Sequence, residues 1–331
     1  MQACYIEHYG DAGVVVMGEQ PEPKPANGEV VFQMHAASVN PIDYKTRSGM
    51  VKALLPYRMP LILGSDAAGI VTEVGPNVSD YQVGDRVAAR LGKARVGAFA
   101  EKVIANAGQL AKIPNEVSFT QAAAVALAGL TAWQCLTEVL KVRPSQRVLI
   151  HAGSGGVGHL AIQLAKGLGA HVTTTASSEN HDWLHRLGAD ECIDYKRDDF
   201  TQKCPLFDAV LDSQGGETLM RSIAHTQLGG RVVSIGDLPT PEIATEFNKP
   251  WLAPVFWFLS RKPRASAKTR KVAYRYWFMR EDGEQLALLL DKVAKGELQV
   301  QIAQEFSLSQ APEALRMSES GRVRGKVVIC A

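Results

Sequence analysis

A chain of 331 residues with 46% hydrophobic and 21% charged side chains is long enough for two domains with separate cores and too apolar for disorder. A formal net charge of +2 gives no overall pull toward nucleic acid or an acidic membrane, so any basic patch must be local. The five cysteines, Cys4, Cys135, Cys192, Cys204 and Cys330, contain no C-x-x-C pair and exclude a disulfide scaffold.

The first 120 or so residues are rich in turn formers and short β-branched stretches, Glu29 to Met34, Ala68 to Val74 and Asp85 to Ala89, which predicts a β-rich domain. Helical spacing begins with Gln121 to Leu127 and continues from Thr131 to Val139. Strands and helices then alternate. Strands are predicted at 147–152, 171–175, 191–194, 208–212 and 231–235, and helices at 157–168, 179–187 and 216–227, the pattern of a parallel sheet with helices on both faces. Ala273 to Met279 is expected as an edge strand, followed by a helix over Glu284 to Lys295 and a last strand over Gly325 to Cys330. The start, Met1 to His8, lacks the basic and apolar segments of a signal peptide. Trp251 to Leu259, taken as the longest apolar run, is less than half the roughly 20 residues of a membrane span. A soluble cytoplasmic protein with no stable membrane insertion is expected.

The most informative segment is Val148-Leu149-Ile150-His151-Ala152-Gly153-Ser154-Gly155-Gly156-Val157-Gly158. It leaves an apolar strand and opens a helix whose apolar residues share one face, the context that makes G-x-G-x-x-G a dinucleotide-binding signal. Glycine permits the tight turn and the approach of backbone to pyrophosphate, and the helix N-terminus offers N–H groups to the phosphates. Gly153, Ser154, Gly155, Gly156 and Val157 are therefore candidate cofactor contacts. After the second strand an NAD site would carry Asp or Glu for the ribose 2′-hydroxyl. Ala176, Ser177 and Ser178 stand there instead. Small hydroxylated residues leave room for a 2′-phosphate, so NADP(H) is expected, with Asn180 as a further contact. A helix cap at Ser178 is the competing reading.

The chain resembles the medium-chain dehydrogenase/reductase superfamily over essentially its whole length. The residues that carry the resemblance are Asn40-Pro41-Ile42-Asp43-Tyr44-Lys45, Gly64-Ser65-Asp66-Ala67-Ala68-Gly69, Val83-Gly84-Asp85-Arg86-Val87, Ala128-Gly129-Leu130-Thr131-Ala132, the glycine loop and Gly325-Lys326-Val327-Val328. The resemblance implies an α/β fold: a GroES-like β-rich catalytic domain, 1–124 and 281–331, interrupted by a Rossmann-type doubly wound cofactor domain, 125–280. Zinc members of the family carry Cys, His-Glu and Cys at the catalytic metal. Asn40, Ser65-Asp66 and Leu127 occupy the corresponding positions here, and the structural lobe built on four cysteines is missing, since Arg90 to Ala98 contains no cysteine, so no metal is expected.

What the resemblance then implies is hydride transfer from NADPH to a quinone or an α,β-unsaturated carbonyl, as in quinone oxidoreductases and enone or alkenal reductases. It places Asn40 at the nicotinamide end and makes Lys45 the candidate for binding the cofactor ribose and polarising the acceptor carbonyl, with a solvated surface lysine as the competing reading of Lys45. Thr131, Tyr195, Ile235 and Lys326 are further family cofactor positions; as single residues, Thr131 also reads as a helix cap and Tyr195 as a half-buried strand tyrosine. His181 and His185 have metal-ligand spacing, but a solvated helix face accounts for them. Trp251 to Leu259 followed by Arg261, Lys262, Arg264, Lys268, Arg270 and Lys271 is expected to line a substrate entrance or form a subunit interface rather than touch lipid, and an exposed Tyr274 to Met279 edge would favour a homodimer. The alternative function is a cofactor-binding protein that uses the basic segment on nucleic acid.

Overall fold

The computed structural model describes residues 1–331. The chain divides into one unit of Met1–Leu130 with Arg280–Ala331 and a second of Thr131–Met279. The first unit opens with β1 (Gln2–Ile6), β2 (Val15–Glu19), β3 (Glu29–Val39), α1 (Pro41–Arg47), β4 (Leu61–Ile62), β5 (Asp66–Val74), β6 (Arg86–Arg90), β7 (Lys102–Asn106) and β8 (Leu110–Lys112). The helix α2 (Phe119–Gln134) follows and runs through residue 124, where the sequence suggested a boundary. The second unit contains β9 (Arg147–Ile150), α3 (Gly158–Gly167), β10 (His171–Ala176), α4 (His181–Arg186), β11 (Glu191–Asp194), α5 (Phe200–Lys203), β12 (Phe207–Asp212), α6 (Gly216–Ala224) and β13 (Thr226–Ser234). It ends with α7 (Pro241–Glu246), α8 (Ala253–Leu259), α9 (Arg261–Arg270) and β14 (Ala273–Tyr276). The chain then returns to the first unit as α10 (Gly283–Ala294), β15 (Ile302–Ser307), α11 (Ala311–Glu319) and β16 (Lys326–Cys330).

In the first unit, β3 is the organising strand because it is apolar on both faces and pairs with β5, β7 and β16. The larger sheet runs β15-β16-β3-β5-β6-β8, with β7 beside β3, and a smaller sheet runs β2-β1-β4. Phe32, Met34, Leu63, Phe99 and Ile329 fill the core between them. The C-terminal return is thus a structural necessity, since β16 supplies a partner to the central strand.

The second unit is a six-stranded parallel sheet in the order β11-β10-β9-β12-β13-β14. Numbered from β9, this is the 3-2-1-4-5-6 order of dinucleotide-binding sheets, with the switch point between β9 and β12, where ligands bind at the strand carboxyl ends. The strands read as apolar runs because helices cover both faces: Val148, Leu149 and Ile150 are fully buried.

Phe119–Val139, not Trp251 to Leu259, is the longer apolar segment, and it is long and apolar enough to cross a membrane by length and composition. Most of it is buried inside the protein, as in a core helix.

Candidate functional site: a glycine loop and a buried amide–carboxylate–ammonium network

In the second unit, the loop from β9 to α3 turns at Ala152, whose φ of 53° is an αL conformation that a residue with a Cβ adopts at a cost. A Cβ on Gly153 would stand 2.1 Å from Thr174 Oγ1, so packing on β10 requires glycine there. Gly155 is different. Its Cβ would meet only the Ala152 carbonyl, at 3.3 Å, and the position is partly exposed. The amides of Ser154, Gly156 and Val157 find no backbone acceptor in the chain. Together with the start of α3 they form a set of donors suited to a pyrophosphate. His151, below the loop, is bonded to Thr175 Oγ1 at 3.0 Å and to Ser222 Oγ at 2.8 Å. Burial pushes its pKa down to about 3, so it is a neutral strut.

Ser177 Oγ donates to Glu179 at 2.8 Å and accepts from Asn180 Nδ2 at 3.0 Å. Ser178 opens a 3-10 turn, and its hydroxyl reaches Asp194. Tyr195 is 63% exposed, not the half-buried strand residue of the competing reading. The parallel register pairs Ala176 with Asp194, which brings Tyr195, Lys196 and Arg197 beside Ser177. These exposed cations are distant from Ser177 along the chain, and pairing of β10 with β11 brings them near it. At the switch point, Asp212 accepts from Ser234 Oγ at 2.7 Å and from the Gln214 and Gly215 amides, and the Ile235 amide donates to the Asp212 carbonyl at 2.9 Å. Ile235 is held in place at the carboxyl edge by this turn. Thr131 lies deep within α2, which begins at Phe119, so the reading of Thr131 as a helix cap is corrected. The His181 and His185 rings bond to the Ala176 and Ala189 carbonyls.

The first unit holds a second cluster. Asn40 precedes α1, and its amide N–H donates to Asp43 Oδ2 at 2.8 Å, fixing the helix start with Pro41 behind it. The Asn40 side chain is fully engaged. Nδ2 donates to Ser38 O and to Asp66 Oδ1, both at 3.1 Å, and Oδ1 accepts from the Lys326 ammonium. Lys326 also donates to Val39 O at 3.0 Å. Asp66 accepts from Ser38 Oγ at 2.9 Å and from the Leu127 amide at 3.1 Å, while Ser65 Oγ donates to Asp43 at 2.6 Å. Asn40, Asp43, Asp66, Arg90 and Lys326 are each at most 4% exposed. Two carboxyls and two cations therefore balance in the interior, the arrangement in which buried charge is tolerated.

Burial raises the Asp43 carboxyl to about 7, against the bond from Ser65, with the Asp66 charge adding to the rise. Burial also raises Asp66, with Lys326 opposing, and burial pulls the Lys326 ammonium down, with Asp66 opposing. As folded, Asn40 and Lys326 serve each other: Lys326 fixes the amide orientation of Asn40. Arg47 does not join this network. It makes a two-pronged pair with Glu319, each contact 3.0 Å, tying α1 to α11. Lys45 is half-buried, and burial without a compensating carboxylate lowers its pKa, the environment of a cation suited to an anionic ligand group. All five thiols are pushed up by burial, Cys192, Cys204 and Cys330 to about 11, which leaves no thiolate nucleophile at neutral pH.

A catalytic zinc does not fit this donor set. The Asn40 amide is committed to Asp66 and Lys326, the Ser65 hydroxyl to Asp43, and the Leu127 side chain offers no ligand atom. A dinucleotide does fit the glycine loop, with its unfilled backbone donors and a partly exposed, side-chain-free Gly155.

The chain matches the alcohol dehydrogenase GroES-like domain family over residues 26–115 and the zinc-binding dehydrogenase family over 187–329. It is 34% identical to the chloroplastic quinone-oxidoreductase QR1 of Triphysaria versicolor, over 99% of this chain and 98% of that one. It is also 34% identical to the mitochondrial NAD(P)H oxidoreductase RTN4IP1 of Mus musculus, over 91% and 81%. Among solved structures, the quinone oxidoreductase of Coxiella burnetii superposes with a TM-score of 0.88 at 36% identity, covering 100% and 99% of the two chains. The Escherichia coli quinone oxidoreductase in complex with NADPH gives 0.84 at 26%, covering 100% of each. Fold, strand order and these relatives together establish that the chain is an oxidoreductase of the medium-chain dehydrogenase/reductase superfamily, within its quinone oxidoreductase group.

Proposed function

We propose that the chain is an NADPH-dependent quinone oxidoreductase that works without a metal. The observation that carries the reading is the Asn40–Asp66–Lys326 network: Asn40 and Asp66, which correspond to metal-ligand positions of zinc members, are bonded to each other, and Asn40 to a buried ammonium. Alcohol oxidation by a metal-acidified hydroxyl has no support there, whereas reduction of an acceptor that is already electrophilic requires no Lewis acid. The bound cofactor supplies the hydride, and with one proton from solvent a quinone becomes a hydroquinone.

The chain's own part is binding, orientation and charge. The glycine-loop amides take the pyrophosphate, and Tyr195, Lys196, Arg197 and Ser177 take the adenosine end with its 2′-phosphate. Lys45 holds the acceptor oxygen as negative charge develops on it. Asn40, fixed by Lys326, sets the start of α1 and hence the placement of Lys45 four residues on from Pro41. The quinone oxidoreductase names of the relatives favour a quinone over an enone, and the NADPH in the Escherichia coli complex favours that cofactor. The test is loss of absorbance by NADPH and NADH in parallel against a simple quinone, an enone, a 2-alkenal and, in reverse, a primary alcohol. NADPH consumption with the quinone supports the reading; turnover of the alcohol, or silence with every acceptor despite tight NADPH binding, contradicts it.

A further inference from the structure

From Phe247 to Arg280 the chain has nine basic residues and no acidic one. The whole chain has 36 basic and 34 acidic residues, so the remainder carries 27 against 34 and is net acidic. Part of that basic charge lies beside an exposed apolar face. Phe256 is the buried residue of α8, and Val255, Trp257, Phe258 and Leu259 point outward at 51%, 56%, 57% and 43% exposure, with Trp251 at 66% just before the helix. The next helix, α9, buries Pro263 and Ala267, the latter in the core cluster with Leu219 and Ile223 of α6. Its Arg261, Lys262 and Lys268 are exposed, as is Lys271 after it. The two halves are joined by cation–π contacts: the Arg261 guanidinium lies 4.0 Å from the Phe258 ring centre and that of Arg264 lies 5.3 Å from Trp257.

We propose that this face, α8 with the start of α9, is a peripheral docking site for an anionic phospholipid surface. Tryptophan, phenylalanine and aliphatic side chains in one exposed patch are costly in water and suited to the headgroup–acyl boundary, and a basic rim attracts anionic headgroups. A second copy is the poorer occupant, since a two-fold contact sets the basic set of one protomer against that of its partner. Nucleic acid would neutralise the cations and leave Val255 and Leu259 in water. The docking goes beyond the proposed oxidoreduction and does not depend on which acceptor is used.

The test is co-sedimentation of the full chain with extruded vesicles of phosphatidylcholine, alone and mixed with phosphatidylglycerol, together with quenching of tryptophan fluorescence by brominated lipid. Expected are binding to the mixed vesicles, salt sensitivity and quenching of Trp251 and Trp257. The R261Q/K262Q variant is expected to bind about thirtyfold more weakly, and W257A/F258A to lose the quenching. All these positions are exposed, and circular dichroism and thermal unfolding of each variant confirm that it folds as the parent does. Equal binding to both vesicle types, no binding, or unchanged binding by W257A/F258A overturns the proposal. So does a stable dimer that W257A/F258A dissociates, or tighter binding to an oligonucleotide than to the mixed vesicles.

Discussion

Replacing Lys326 by Met removes a buried ammonium while keeping much of the aliphatic volume. Lys326 is 4% exposed, donates to Val39 O at 3.0 Å and to Asn40 Oδ1, and faces Asp66 and Asp43. The substitution strips two carbonyl oxygens of a donor and leaves the carboxyls with Arg90 as their only buried cation. Removing one partner from such a buried set costs about 3–5 kcal/mol. In a unit of this size each kcal/mol lowers the melting temperature by about 2–4 °C, so a fall of roughly 6–20 °C is expected. Asp43→Asn is the informative second change, because its carbonyl can still accept from the Asn40 amide and its NH2 can donate to Ser65 Oγ. If the Lys326 charge is what the cluster needs, K326M/D43N is less destabilised than the sum of the single variants by about 1–3 kcal/mol. Urea unfolding of the four proteins by circular dichroism completes the cycle. A K326M variant within about 1 kcal/mol of the parent, or strict additivity, would show that the ammonium is not part of a coupled buried network.

The remaining predictions concern pH, cofactor and acceptor. Asp43, raised to about 7 in the folded protein, is protonated in both states below pH 4 and so contributes nothing there. Between about pH 4 and 7 the unfolded chain ionises first, so stability falls as pH rises and levels off above 7, by on the order of 4 kcal/mol at most. Asp66 is shifted the same way, so D43N should flatten this slope without abolishing it in a pH series of urea midpoints. Lys196→Ala with Arg197→Ala should raise KM for NADPH about tenfold and leave KM for NADH near its starting value, since only the 2′-phosphate differs; equal effects on both would remove these cations from the 2′-phosphate site. Gly153→Ala, with 2.1 Å to Thr174 Oγ1, should destabilise the protein by about 1–3 kcal/mol. Gly155→Ala should fold with near-parental stability yet bind NADPH weakly, which thermal shift with and without NADPH separates. Lys45→Met should lower kcat/KM about ten- to a hundredfold with partial recovery in Lys45→Arg, and activity should fall with rising pH earlier than an ordinary lysine allows.

Much of the second unit was legible because its signals are local. Apolar runs such as Val148 to Ile150 mark parallel strands, and the glycine loop sits between a strand and a helix where its context can be checked along the chain. Most strands of the first unit carry no such signal, because β4 and β8 are only two and three residues long and β15 is an edge strand with mixed polarity. The helices α8 and α9 were also invisible. An apolar run and a basic run read as composition until packing shows that Phe256, Pro263 and Ala267 alone turn inward. The site residues divide the same way. Gly153 and Ser177 declare themselves by position in a motif. Lys196 and Arg197 depend on the β10–β11 register, and the bond from Lys326 to Asn40 spans 286 residues, a separation no periodicity encodes.

The central claim, hydride transfer from NADPH to a quinone without a metal, is tested most directly by turnover of the chelator-dialysed enzyme alongside its measured metal content. Full NADPH:quinone turnover at substoichiometric metal, unchanged when zinc is added back, is the expected result. Activity that disappears on dialysis and returns with zinc would contradict the account and place a metal where Lys326 and Asn40 now bind each other.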